Sequence, residues 1–269
     1  MEIGRQIPSN SAISATNAEV IVVRGMDLCR DLIGKITFTD HIWLLVAGSL
    51  PTDAQRHTLD AALVAIAEHG LVPSIVAGRM TLAAAPEALQ GAVAAGLLGC
   101  GSVILGAAES AARLYADIAS QASRGSLDEI IRATLTEMRV AGRAIPGYGH
   151  PLHKTHDPRA LRLLAVASTN RLEGKHIEIA RTVEKWIPQI IGKPLVMNVS
   201  AAIGAVLLDA GYPLLAVKGV PLLARTASLV AHLLEEQERP IGFALAHSAS
   251  LSVKYDGVLP PGFVPSEGA

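Results

Sequence analysis

The stretch Ala144-Ile-Pro-Gly-Tyr-Gly-His-Pro-Leu-His-Lys-Thr-His-Asp-Pro-Arg159 is the point from which the rest of the chain is best read. Residues 150–159 hold three histidines, a lysine, an aspartate and an arginine, while the flanking chain is mostly aliphatic. Gly147 and Gly149 permit a sharp turn and a close approach of backbone to a ligand, and Pro146 and Pro151 stiffen either side of it. Asp157-Pro158 reads as an N-cap followed by proline at the first helical position, which puts Arg159 in the first turn of a helix. An imidazole on a rigid turn, beside a helix N-terminus bearing a guanidinium, suits a carboxylate substrate.

Composition narrows the fold. Of 269 residues, 50% are hydrophobic, 17% charged and 3% aromatic, a profile rich in Ala and Leu that favours packed helices over a sandwich or barrel. A net charge of −1 offers no footprint for nucleic acid. Cys29 and Cys100 form no CxxC pair, and free thiols in a reducing compartment are expected. No apolar signal segment is read in Met-Glu-Ile-Gly-Arg-Gln at the start, so the expected location is cytoplasmic. Residues 88–108 are uncharged for 21 positions, about a bilayer span, but five glycines and many alanines read better as a buried helix that lets its neighbours approach closely, and no membrane is expected.

In chain order, residues 1–20 read as a poorly packed arm and residues 22–34 include a short helix ended by Gly34. Thr39 or Asp40 is expected to cap a helix over 42–47. Thr52 or Asp53 caps a longer one, with Leu59, Leu63 and Ile66 on one face, ending at His69-Gly70. Ser126-Leu-Asp-Glu129 is a capping-box pattern with Ile131, Leu135 and Met138 following at helical spacing. Further helices are predicted at 111–119, 158–170, 177–191, 199–210 (N-cap Asn198) and 218–237. No alternating strand stands out, and the fold class is all-α.

His69, at a helix end, reads on local pattern first as a partner of the helix dipole and second as a functional group. His150, between glycines and a proline, is better placed for chemistry. His150, His153 and His156 invite a metal, but Pro151 and Pro158 prevent one helix from presenting them and no clustered carboxylate or cysteine completes the set, so none is expected. Arg225, next to an apolar stripe, requires an anion if buried.

Together these motifs resemble the citrate synthase family, specifically its short citryl-CoA lyase-like branch, which includes the C-terminal module of ATP-citrate lyase. The resemblance rests on Phe38-Thr-Asp-His-Ile-Trp-Leu-Leu-Val-Ala-Gly-Ser-Leu-Pro-Thr52, Glu68-His-Gly70, Pro146-Gly-Tyr-Gly-His150, Asp157-Pro-Arg159 and Ala224-Arg-Thr-Ala-Ser-Leu-Val-Ala-His-Leu-Leu-Glu-Glu-Gln237, followed by Glu238-Arg-Pro240. It implies a large domain from residues 1–105 and 206–269, with a small domain from 106–205 closing on it over the site. It implies a homodimer in which His69, His150, Arg159, Arg225 and, from the neighbouring subunit, Arg239 hold a di- or tricarboxylate. Ile145, Pro146, Gly147, Tyr148 and Gly149 would lie against the adenine end of coenzyme A. The implied activity makes or breaks a carbon–carbon bond next to an acyl-CoA carbonyl. His150 would donate to the keto oxygen in condensation and take the hydroxyl proton in cleavage.

Two positions depart from the family pattern. Leu105 stands where the family has the histidine that hydrogen-bonds the enolate, and Ser200 where it has the aspartate that moves the methyl proton. A lost base costs about 10²–10⁴ in rate and a lost enolate donor about 10²–10³. Ser200 can still donate to an enolate or hold a water, or it can serve only as a helix-start residue. The alternatives to an enzyme are a non-catalytic homologue that binds a CoA thioester or carboxylate, and a subunit completed by another chain.

Overall fold

A computed structural model describes residues 10–263. Residues 1–9 of the expected arm, including the opening hexapeptide, lie outside the described residues. The part that follows is not loose, because β1 (Ser14–Thr16), β2 (Ile21–Val23) and β3 (Met26–Asp27) form an antiparallel sheet in that order. This corrects the expectation of no strand. Val23 pairs with Met26 across Arg24-Gly25, both at positive φ (50° and 82°), the geometry of a two-residue hairpin turn. Strands of two and three residues are too short to show alternation. The helix expected before Gly34 is a π-helical turn, Leu28–Leu32. Val23, Leu32 and Leu44 seal this corner against the next helix.

The remainder is helical, from α1 (Phe38–Ala47), α2 (Asp53–Ala67), α3 (Pro73–Ala84) and α4 (Leu89–Leu98) through α5 (Ala107–Ser120) and α6 (Leu127–Val140). It continues with α7 (Pro158–Thr169), α8 (Lys175–Ile191), α9 (Val199–Asp209), α10 (Gly219–Glu238) and α11 (Gly242–Ser252). The cap of α1 is Thr37 rather than Thr39 or Asp40; Asp40 is the third residue of a capping box whose carboxylate reaches back to the Thr37 N–H. Thr52 with Gln55 and Ser126 with Glu129 form the same device at α2 and α6. Helices α3 and α11 had no clear periodic signal in the sequence. Residues 88–108 are not one helix, since α4 ends at Leu98 and turns lead to α5.

Two sets of helices pack around the chain's apolar residues. Helix α9 is apolar on every side, so it is surrounded, by α5, α7, α8 and α2. Its Ala201, Ala202, Ile203, Ala205, Val206 and Leu207 are wholly buried. Helices α3, α4, α10 and α11 form the second set. At Gly96 a Cβ would fall 2.5 Å from Leu229 and 2.8 Å from the Ser74 carbonyl, so only glycine lets α4 approach α3 and α10 this closely. The helical run Leu214–Glu238 is long and apolar enough to cross a membrane by length and composition. It carries the buried side chains of Arg225, Ser228 and Glu236 and packs on α2, α3 and α4.

The C-terminal residue of α9 fixes the start of α8. Asp209 accepts from the backbone N–H groups of Gly174, His176 and Ile177 at 2.9–3.0 Å and from His176 Nδ1 at 2.8 Å. Asp209→Ala is expected to strand these donors and to destabilise the fold by about 2 kcal/mol, read as a lower urea midpoint at neutral pH.

Candidate active site

The central turn is held from beneath. Tyr148 is buried, and its hydroxyl donates to the Ala180 carbonyl at 2.7 Å and accepts from Tyr115 at 2.9 Å. Burial pushes both phenols well above their ordinary range, so both stay protonated. Ile145 is buried as well. Of the five residues expected against coenzyme A, Ile145, Gly147 and Tyr148 are buried and anchor the turn, and Pro146 and Gly149 are half-buried. Gly147 sits at φ +84°, and a Cβ there would lie 2.6 Å from the Cβ of Ala201, so the turn rests directly on the first turn of α9.

Asn198 stitches turn to helix. Its N–H donates to the Gly147 carbonyl and its Nδ2 to the Gly149 carbonyl, both at 2.9 Å. Its Oδ1 accepts from Ser200 N–H at 3.0 Å as the cap of α9. Asp157, buried, does the same for α7. Its Oδ1 accepts from the Arg159 N–H and Nε, while its Oδ2 accepts from Arg159 Nη2 at 2.9 Å and from the Val199 N–H at 3.0 Å. Burial by itself would raise this carboxyl, but the bonds from Arg159 and Val199 outweigh it and hold it below the usual carboxylate range.

These supports bring His69, Leu105, His150, Arg159, Ser200 and Arg225 around one cleft of about 260 Å³, walled also by Ile66, Val72 and Val103. The His69 and His150 rings lie 6.0 Å apart. His69 lies just beyond the end of α2, with the C-cap Glu68 between them. Glu68 beside it accepts from Ser228 Oγ, from His232 Nε2 at 3.1 Å and from the Gly70 N–H. Burial opposes ionisation of Glu68, but these bonds hold it at about 2, an ionised anchor for the His69 loop. Arg239 does not line this cleft; it is exposed at the C-cap of α10. A larger hollow of about 520 Å³ lies between α2 and α7, mostly apolar through Ala61, Val64, Ala65, Leu163 and Val166 but lined also by His57, Asp60, Arg159 and Arg162.

The electrostatics of the cleft are one-sided. Arg225 is only 2% exposed, and its Nε and Nη1 find no acceptor among the described residues. A buried guanidinium without an anion is costly. Burial, followed by the charges of Arg159 and Arg225, lowers His69, while burial, followed by His153 and Arg159, lowers His150, so both imidazoles are neutral at pH 7. His150 Nδ1 accepts from the N–H groups of Leu152 and His153, each at 3.1 Å, which assigns its proton to Nε2. That N–H faces Arg159 Nη2 at 3.4 Å, two donors suited to a shared oxygen. This tautomer fits donation to a keto oxygen, and acting as base at Nε2 would require the other one. Ligand atoms of His150, His153 and Asp157 come within 4.8 Å of one another. The lone pairs of the first and last are already committed to the N–H donors just described.

Fold and cleft together define a mostly helical protein with a cationic, histidine-bearing pocket where α2, α7, α9 and α10 meet. Residues 53–242 match the family described as citrate synthase, C-terminal domain, and the chain belongs to that family. The structure is similar to citryl-CoA lyase from Hydrogenobacter thermophilus, with 32% identity, a TM-score of 0.84 and coverage of 97% of this chain and 99% of that one. It shares its fold with Methanosaeta concilii ATP citrate lyase in complex with (3S)-citryl-CoA, at 23% identity and TM-score 0.73, covering 88% of this chain and 40% of that one. The citrate synthase of Saccharolobus solfataricus is 26% identical over 201 residues, 71% of this chain, and the chain spans about half (51%) of that relative's length.

Residue identity alone left three roles unassigned: Asn198 as the stitch between turn and helix, Asp157 as the cap of two helices, and Glu68 as the anchor beside His69. The first two stood out only as N-cap candidates. The lowered carboxyl of Asp157 contributes stability above its unfolded value of about 3.9, and that contribution is lost as pH falls through its folded value. Asp157→Asn is therefore expected to lower the urea midpoint at pH 7, with the gap to the parent closing below about pH 4.

Proposed function

We propose that this protein is a citryl-CoA lyase-like enzyme that breaks, or in reverse makes, the carbon–carbon bond next to an acyl-CoA carbonyl, with a di- or tricarboxylate as the other partner. The observation that carries this reading is the buried Arg225 guanidinium, whose Nε and Nη1 find no acceptor among the described residues and which opens on the same cleft as Arg159, His69 and His150. The cleft's size suits the acid portion of a substrate. The backbone of the turn at 145–149 receives coenzyme A, and the substrate oxygen accepts from His150 Nε2 and Arg159. In the condensation direction the electron pair of the thioester enolate forms the new carbon–carbon bond at the keto carbon while the keto oxygen takes the proton of His150 Nε2. Cleavage is the reverse: the tertiary hydroxyl proton returns to Nε2, the oxygen's electron pair forms the keto group, and the carbon–carbon pair leaves with the acyl portion as the thioester enolate, which then takes up a proton.

The reading includes a homodimer that brings Arg239 of a second copy to the site, the division into large (1–105, 206–269) and small (106–205) domains, and a cytoplasmic location in keeping with two free cysteines. The outward residues Leu98, 87% exposed, and Ala94 on α4 offer an apolar face for that dimer. Replacing Arg159 or Arg225 with Ala is expected to weaken citrate binding by about 1.5–3 kcal/mol in calorimetry, with coenzyme A affinity little changed. Equal loss of both ligands in a folded variant would count against the assignment.

Among the described residues no carboxylate lines the cleft to return the proton to the enolate; Ser200 stands at the start of α9 on its wall. A water held by its hydroxyl is the proton source in this reading. Ser200→Asp is expected to bring about exchange of the acetyl-CoA methyl protons with deuterated solvent, followed by NMR with and without oxaloacetate, and adding Leu105→His is expected to raise it. Rapid exchange in the parent would assign the base to another group.

A further inference from the structure

A second buried ionic cluster lies outside the cleft, where the end of α10 meets α3. Arg79, on α3, is 2% exposed, and its Nε donates to Glu236 at 2.6 Å and its Nη1 to Glu235 at 2.7 Å. Its remaining arm, Nη2, donates to the backbone carbonyl of Arg239 at 3.2 Å. Glu236, 3% exposed, spends its other lone pairs on the N–H groups of Ile241 and Gly242 at 2.7–3.1 Å. A Cβ at Gly242 would lie 2.5 Å from Ala83, so the turn is pressed against α3 with no room to shift. Residues 239–242 are thereby held through the Arg239 carbonyl and the Ile241 and Gly242 N–H groups.

A buried Arg–Glu pair is weak evidence of stabilisation, because desolvation offsets much of the attraction, and apolar residues of like volume often serve as well. What such a pair does supply is direction, since a guanidinium fork fixes several acceptors in one plane. The backbone it fixes belongs to an exposed arginine at the helix end.

We infer that Arg79 and Glu236 are positioning residues for Arg239, and that they set the line along which its side chain leaves the α10–α11 turn for the carboxylate pocket of a second copy. The inference rests on the reading above that Arg239 serves that pocket. It makes the carboxylate affinity of one protomer depend on a buried ion pair in its partner.

The test is a double-mutant cycle on the full-length chain, with citrate as the probe in calorimetry and the thermal midpoint measured alongside. Arg239→Ala should raise the citrate Kd by about tenfold or more, the scale of a charge-assisted contact. Arg79→Met should raise it several-fold in the parent and leave it unchanged in the Arg239→Ala background, because its effect passes through Arg239. Arg79→Lys keeps the charge but cannot hold Glu235, Glu236 and the Arg239 carbonyl at once, and should give a smaller rise; it carries the cycle if Arg79→Met does not fold. Equal effects of the Arg79 variants in both backgrounds, or an unchanged citrate Kd with a lowered midpoint, would show a purely structural pair and overturn the inference while the reading of Arg239 stands. Citrate binding that Arg239→Ala leaves unchanged, or that the parent lacks, would overturn that reading and the inference with it.

Discussion

The site depends on one carboxylate. Asp157 is withdrawn from solvent and accepts from the first turn of α7, from the Arg159 guanidinium and from the first N–H of α9. Two helix N-termini, each carrying partial positive charge, are thereby drawn to the same anion. Arg159 on one helix and Ser200 on the other take up their positions because of it. Apolar packing holds α7 against α9, and Asp157 adds the polar tie between their N-termini, since the Asn198 contacts bind α9 to the turn and not to α7.

Much of this was legible in the sequence because the devices are local. Asp157-Pro158 and Asn198-Val199 are short-range cap signals, and the glycines at 147 and 149 announce a turn of unusual backbone. The apolar periodicity of α6, α7 and α8 is strong because one side of each faces water. Where that contrast fades, so does legibility. Helix α3 mixes Gly78 and Arg79 among buried positions and has no polar face to set its period, and the β1–β3 sheet is too short to alternate. The grip of Arg79 on Glu236 joins residues 157 positions apart, and no local pattern foretells such a pair.

Leu105 and Ser200 make the cleft chemically asymmetric. Four groups at its wall, His69, His150, Arg159 and Arg225, are basic or neutral donors, and no Asp or Glu among the described residues lines it with them, Asp157 being spent behind the wall on Arg159 and Val199. A pocket of this kind stabilises a substrate that arrives already ionised and does little to ionise a carbon acid itself. Leu105 also sits at φ +65°, an uncommon conformation for a branched side chain, at the turn that closes the cleft's apolar wall.

The buried tyrosine pair beneath the turn has a thermodynamic consequence. Ordering a residue's backbone costs about 1–2 kcal/mol, and a loop that settles only around its ligand subtracts that cost from affinity. The turn at 145–149 is ordered in advance, with the Tyr148 hydroxyl locked between Tyr115 and the Ala180 carbonyl and its strand-like bridge to Met197 in place. The conformational entropy is lost when the chain folds. A ligand that docks on this backbone meets a rigid surface, so its association resembles the docking of two solids more than the closing of a hand.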